Sequence, residues 1–241
     1  PDPRGIRAVS LTRLPLAARP ISHVTYPGGR FIQEAKVVIN DHLLVIFTNH
    51  WKSRRTGRNG DDGSDKRIEA GKVLRHRIDE ILEDSPETDF IAMGDFNDEP
   101  ENKSLKQALL STMDLNLFSE YNFSEKPKLW NPAGELVATP AFTDFVDEYG
   151  IEEAPRQFRK LRGTYYYSGD KSYLALDNFH LSPGLLDDLG FSYVQKSYQV
   201  YRHPSMTDNE MRPIAFRAGA NPQGVADHFP ILLRLNLHEG F

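Results

Sequence analysis

The chain has no cysteine among its 241 residues. Disulfides and thiolate metal sites are therefore excluded, and any metal must be held by oxygen or imidazole ligands. No stretch approaches the ~18 consecutive apolar residues of a membrane span. The opening Pro1-Asp2-Pro3-Arg4 lacks the features of a signal peptide. There is no internal repeat and no long low-complexity segment. The net charge of −5 does not advertise nucleic-acid binding through bulk electrostatics. Its distribution is uneven, however. Residues 51–77 carry nine Lys or Arg against four acids. A local basic surface beside an acidic site suits a phosphate-bearing substrate. A length of 241 residues fits one large domain better than two.

The most informative stretch is Ile91-Ala92-Met93-Gly94-Asp95-Phe96-Asn97-Asp98-Glu99-Pro100, where an apolar run stops at glycine and then presents an acid and an amide. Thr48-Asn49-His50-Trp51-Lys52-Ser53 follows a second apolar run, residues 43–47. Ala226-Asp227-His228-Phe229-Pro230 precedes a third, residues 231–235. Three strand ends with polar clusters predict one shared pocket at the edge of a sheet. Residues 36–40 and 43–47 read as a hairpin around Asp41-His42. Residues 65–83 read as a helix with Ser64 as N-cap and an apolar stripe of Ile68, Gly71, Leu74, Ile78, Ile81 and Leu82. Residues 90–93 read as a short buried strand and 101–113 as a helix. Segments 163–167, 173–182 and 193–201 read as strands. Residues 120–162 read as irregular with short helices, one near 143–149, and 202–224 as a long loop. Strands mixed with helices indicate an α/β sandwich with a mixed sheet.

The order Asn-His-Trp-Lys-Ser, Gly-Asp-Phe-Asn, Leu-Asp-Asn-Phe, Asp-His-Phe-Pro resembles the endonuclease/exonuclease/phosphatase superfamily. The resemblance runs from about Arg4 to Leu237. It implies a four-layer sandwich of two packed mixed β-sheets flanked by helices. It also implies hydrolysis of phosphate esters with a divalent cation, Mg²⁺ first, with Mn²⁺ or Ca²⁺ as alternatives. By that resemblance Asp95 activates water, and Asn97 donates a hydrogen bond to the phosphate or orients Asp95. His228 contacts the phosphate and Asp177 fixes its tautomer. His50 faces the phosphate from the other side, and Asp227 assists the metal. Arg30, Asn49, Lys52 and Arg54 are the expected phosphate-binding residues. The substrate expected is nucleic acid or another phosphodiester. A phosphomonoesterase or sphingomyelinase is the alternative within the enzyme class, and an inactive binding protein on the same scaffold is the alternative outside it. A secreted or periplasmic location would follow from the likeness to secreted bacterial nucleases.

The pattern departs from the family at its beginning. The family's opening strands, including one that ends in the Gln-Glu of the main metal ligand, are not in this sequence. The expectation is therefore one catalytic domain spanning 1–241 that is N-terminally incomplete, with a companion N-terminal fragment completing it. Gln33-Glu34 is the only Gln-Glu pair, and its surroundings match a different strand, so Glu34 is expected to be structural. Ala226 stands where a serine is usual, and Arg7 where many relatives carry an acid.

Overall fold

The computed structural model describes residues 5–55, 60–115, 128–136, 160–219 and 223–238. Its backbone is a seven-stranded mixed sheet ordered β1-β2-β3-β4-β9-β6-β5. The strands are β1 Ile21–Val24, β2 Phe31–Ile39, β3 His42–His50, β4 Asp89–Asp95, β5 Ser111–Thr112, β6 Leu129–Trp130 and β9 Asp177–Leu181. β3 and β4 run parallel, joined by helix α1, Ser64–Asp84; β4 and β9 run antiparallel. Short pairs complete the structure: β7 Tyr165–Tyr167 with β8 Ser172–Leu174, β10 Phe191–Tyr193 with β13 Leu235–Leu237, and β11 Gln199–Val200 with β12 Ile231–Leu232. Among the described residues no helix is long and apolar enough to cross a membrane.

Alternation along the strands sorts the side chains into two cores, because successive residues of a strand point to opposite faces. Val45, Phe47, Phe90 and Ala92 face α1 and pack on Ala70, Leu74, Ile78 and Ile81. Phe47 and Phe90 meet edge to face, with ring centroids 6.2 Å apart. Leu44, Ile46, Ile91, Met93, Phe179 and Leu181 face the other way, onto Phe191, Tyr193, Tyr198, Ile231 and Leu235. The fully buried members, such as Phe47, Phe90 and Leu181, each contribute ~1.5–3 kcal/mol by leaving water. Among the described residues the layers are thus helix, large mixed sheet and short strand pairs, an architecture of the α/β class expected from the sequence.

Several boundaries differ from the sequence reading. α1 does not use Ser64 as its cap: Gly63 holds that place at φ 73°, and no side-chain cap bond forms. The exposed N–H groups are satisfied from upstream instead, with Asp61 accepting from Gly63 N at 2.7 Å and Asp62 from Ser64 N at 2.9 Å. The helix expected over 101–113 is only a π-helical turn, Ser104–Ala108, since Leu110 takes φ 61° and β5 follows. The strand expected over 173–182 is two strands in different sheets, split at Ala175-Leu176, where Leu176 O accepts the N–H of Phe96. The strand expected over 193–201 is likewise β10 and β11, separated by a turn with Lys196 at φ 60°. The loop over 202–224 carries a 3-10 turn, Pro204–Met206, and two bridges, Thr207 with Pro213 and Arg217 with Gln223. The short helix expected near 143–149 lies outside the described residues.

Candidate active site

The sheet brings three polar side chains into one row. His50 is the register partner of Asp95 across β3 and β4, and Asp95 is the partner of Asp177 across β4 and β9. All three stand on the face turned away from α1, at the strand ends. His50 Nε2 lies 3.3 Å from Asp95 Oδ2. His228, on the segment before β12, completes the row: its Nδ1 is 2.7 Å from Asp177 Oδ2. Tyr165 bridges to His228 through the backbone, and the two rings lie 4.9 Å apart.

The turn after β4 is built for Asp95. Gly94 takes φ 127° with its α-carbon against the backbone of Asn49; an added Cβ would lie 2.2 Å from Asn49 O. Asn97 sits at φ 54°, a conformation Asn tolerates better than most residues. There its N–H donates to Asp95 Oδ1 at 2.8 Å and its side-chain amide donates to Asp95 Oδ2 at 3.0 Å and to Trp51 O at 3.2 Å. Arg30 donates to Trp51 O and, at 3.4 Å, to His50 O. It holds the chain that follows β3 from behind.

Electrostatics separate the two ends of the row. Burial, and after it the nearby charge of Asp177, pushes the Asp95 carboxyl up to about 7. Burial alone would lower His228, but the hydrogen bond and charge of Asp177 outweigh it and carry the imidazole up to about 9. A carboxyl and an imidazole shifted in this way mark a candidate functional site.

The sequence-predicted residues divide. His50, Asp95, Asn97, Asp177 and His228 come together. Asn49 does not. Being adjacent to His50, it points to the opposite face, where it is buried and its amide donates to Phe47 O at 3.1 Å and Met93 O at 3.3 Å while its oxygen accepts from Trp51 Nε1. Arg54 is turned into an acidic network, with NH2 3.2 Å from Asp98 Oδ1 and 2.6 Å from Asn102 Oδ1. Lys52 donates to Ser53 O at 3.0 Å and lies against the start of α1. Arg30 serves the backbone. Asp227 is exposed beside His228. Glu34 has a structural place: buried in β2, it binds His23 at 2.8 Å and Arg77 at 2.8 and 3.0 Å. Thr164 and Tyr165 carried no sequence motif, yet Thr164 Oγ1 accepts from Asp177 N at 3.2 Å and Thr164 O from Phe229 N at 2.8 Å.

Among the described residues, Asp95, Asp177 and His228 are the one group of three whose potential ligand atoms lie within 4.8 Å of one another. Two carboxylates facing each other carry a repulsion that a cation would relieve, and carboxylate donors suit a hard divalent ion, with charged His228 beside it rather than a ligand. The residues present therefore fit the metal that the superfamily usually uses.

Residues 30–126, which include β2, β3, α1 and β4, match the Endonuclease/Exonuclease/phosphatase family. The match covers less than half of the chain, and over it the chain is similar to that family. Solved structures agree on the fold. A humanized D. rerio TDP2 bearing 14 mutations aligns with a TM-score of 0.51 and 13% identity, over 93% of this chain and 68% of that one. Sphingomyelinase C from Streptomyces griseocarneus aligns with a TM-score of 0.50 and 10% identity, over 91% of this chain and 64% of that one. The chain thus spans about two thirds of the length of either structure. No curated protein sequence matches it. The superfamily supports phosphoester hydrolysis as the class of chemistry.

Proposed function

We propose that the chain is a metal-dependent phosphodiester hydrolase whose leading substrate is nucleic acid. The observation that carries this reading is the row His50–Asp95–Asp177–His228 with Asn97 folded onto Asp95. Hydrolysis requires a deprotonated water, neutralised phosphoryl oxygens and fixed geometry. Asp95, with its carboxyl raised toward neutral pH, takes the water's proton. Asn97, clamped to both Asp95 oxygens, fixes the direction from which that proton arrives. His228, held charged by Asp177 through Nδ1, offers Nε2–H to a phosphoryl oxygen. His50, on the other side of Asp95, donates the proton that the leaving ester oxygen takes up as its bond to phosphorus breaks. A divalent cation, Mg²⁺ in this proposal, supplies charge neutralisation and polarisation of the ester when bound. Asp177 would hold it, and exposed Asp227 is proposed to assist from the rim.

The test is incubation of plasmid DNA with the protein and Mg²⁺, with and without chelator. Chelator-sensitive cleavage is expected, and Asp95→Ala should abolish it. Absence of cleavage of both DNA and a nitrophenyl phosphodiester would overturn the proposal, and would favour an inactive binding protein on the same scaffold.

A second reading, a lipid phosphodiesterase, draws on one feature. The segment between β11 and β12 presents Met211, Phe216 and Val225 at 46%, 59% and 57% exposure, just before Asp227-His228. Exposed apolar side chains beside a phosphoesterase site suit a membrane-borne substrate. Hydrolysis of sphingomyelin vesicles at a higher rate than plasmid DNA would favour this reading.

A further inference from the structure

The Asp177–His228 pair depends on two chain segments that meet without any shared strand. His228 lies before β12 and Asp177 opens β9. The residue between them is Thr164: its hydroxyl accepts from the N–H of Asp177, its carbonyl accepts from the N–H of Phe229, and its own N–H donates to Leu174 O at 2.9 Å. Thr164 is fully buried, so each of these groups would be left without water if the contact broke.

Arg202 holds Thr164 in place. Its guanidinium donates to the carbonyls of Lys160, Leu161 (3.2 Å) and Gly163 (2.9 Å), which gathers the chain immediately ahead of Thr164. The same group lies 5.0 Å from the centre of the Phe229 ring and 5.7 Å from that of Tyr173. A planar fork of donors with aromatic faces beside it is a task for arginine, and lysine cannot reproduce it. The cation therefore touches the residue next to His228 and the segment that carries Thr164. Tyr201, its neighbour in sequence, donates its N–H to Pro230 O at 2.8 Å, so Arg202 is fixed to the His228 segment from both sides.

We infer that Arg202 is a positioning residue: acting through Thr164 and Phe229, it sets the separation of Asp177 and His228. The inference rests on the proposed hydrolase reading for its kinetic test, and on geometry alone for its spectroscopic one.

The experiment compares Arg202→Met, which keeps an unbranched apolar side chain but removes every donor, with Arg202→Lys, each made in the wild-type and His228→Ala backgrounds. Arg202→Met should lower kcat at least about tenfold with KM within about twofold, since small misplacements of a reacting group are costly. Arg202→Lys should recover part of that loss. In the His228→Ala background Arg202→Met should have no further effect on kcat, because the group it positions is gone. Independently of turnover, the downfield proton resonance of the Nδ1–H of His228, assigned by its loss in His228→Ala, should shift or broaden in Arg202→Met. An unchanged resonance with unchanged kcat would overturn the inference, and so would an equal fold-loss in both backgrounds. If the wild type hydrolyses no phosphoester, the functional reading fails while the resonance still decides the role of Arg202. If Arg202→Met does not fold, Arg202→Lys carries the same comparisons.

Discussion

Replacing Asp98 by alanine removes a carboxylate that three groups share. Asp98 is buried, with its Oδ1 2.9 Å from Arg67 Nε and 3.2 Å from Arg54 NH2, while Oδ2 accepts from Ser104 Oγ at 2.6 Å. Arg67 is only 2% exposed, so it cannot turn to water when its partner goes. Breaking a buried pair from one side costs about 3–5 kcal/mol. The expected loss lies near the lower bound, because Arg67 NH1 keeps Asp62 O at 2.8 Å and Lys52 O at 3.2 Å. With a urea m-value of roughly 3 kcal/mol/M, the unfolding midpoint should fall by about 1 M. Fluorescence of Trp51 and Trp130, both buried, reports the transition. Asp98→Asn should lose most of the same stability, since charge rather than shape is what Arg67 lacks. A midpoint within about 0.2 M of wild type for both variants would refute the view that this acid anchors the turn carrying Asn97.

Other expectations concern the strand ends. Gly94→Ala should destabilise by about 3 kcal/mol or more, from a φ forbidden to alanine and a clash with Asn49 O, and thermal unfolding of the variant checks it. The profile of kcat/KM against pH should be bell-shaped: activity falls as pH drops through about 7, where Asp95 is protonated, and as it rises through about 9, where His228 loses its charge. Asp177→Asn should move both limbs to lower pH, because the Asp177 charge raises both groups; an unmoved alkaline limb would count against the assignment. Glu34 is held at about 2: burial opposes ionisation, but His23 and Arg77 outweigh it. A depressed carboxyl stabilises the fold above its unfolded value and loses that contribution as pH falls toward 2. Glu34→Gln should therefore flatten the stability profile between pH ~4.5 and 2, by up to about 3 kcal/mol in acid denaturation.

The parts of the fold legible in the sequence are those with strong local period. α1 followed from its apolar stripe, and β3 and β4 from apolar runs that end in polar clusters. Asn49 shows how period also corrects a motif. His50 and Asn49 are neighbours in a strand, so only one can face the site, and the alternation of Val45 and Phe47 toward α1 already assigns Asn49 to the helix side. The place of Arg54 is not legible in the sequence, because a basic residue next to a motif is indistinguishable there from one that serves Asp98, 44 positions away. Thr164 and Arg202 were invisible for the same reason: their partners are carbonyls and rings brought near by the fold, and such contacts leave no spacing to read. Strands broken at Ala175-Leu176 and near Lys196 kept their apolar content, so composition could not reveal the break.

The lateral interval between His50, Asp95 and Asp177 is the pitch of the sheet itself, roughly 4.8 Å from strand to strand. Amide-to-carbonyl pairing sets that pitch, whatever side chains occupy neighbouring positions. Drift in the surrounding loops can thus leave the comb of these three side chains at its spacing. Laboratory selection for new esters should accordingly gather its substitutions in 160–174 and 202–230 and leave the three strands alone.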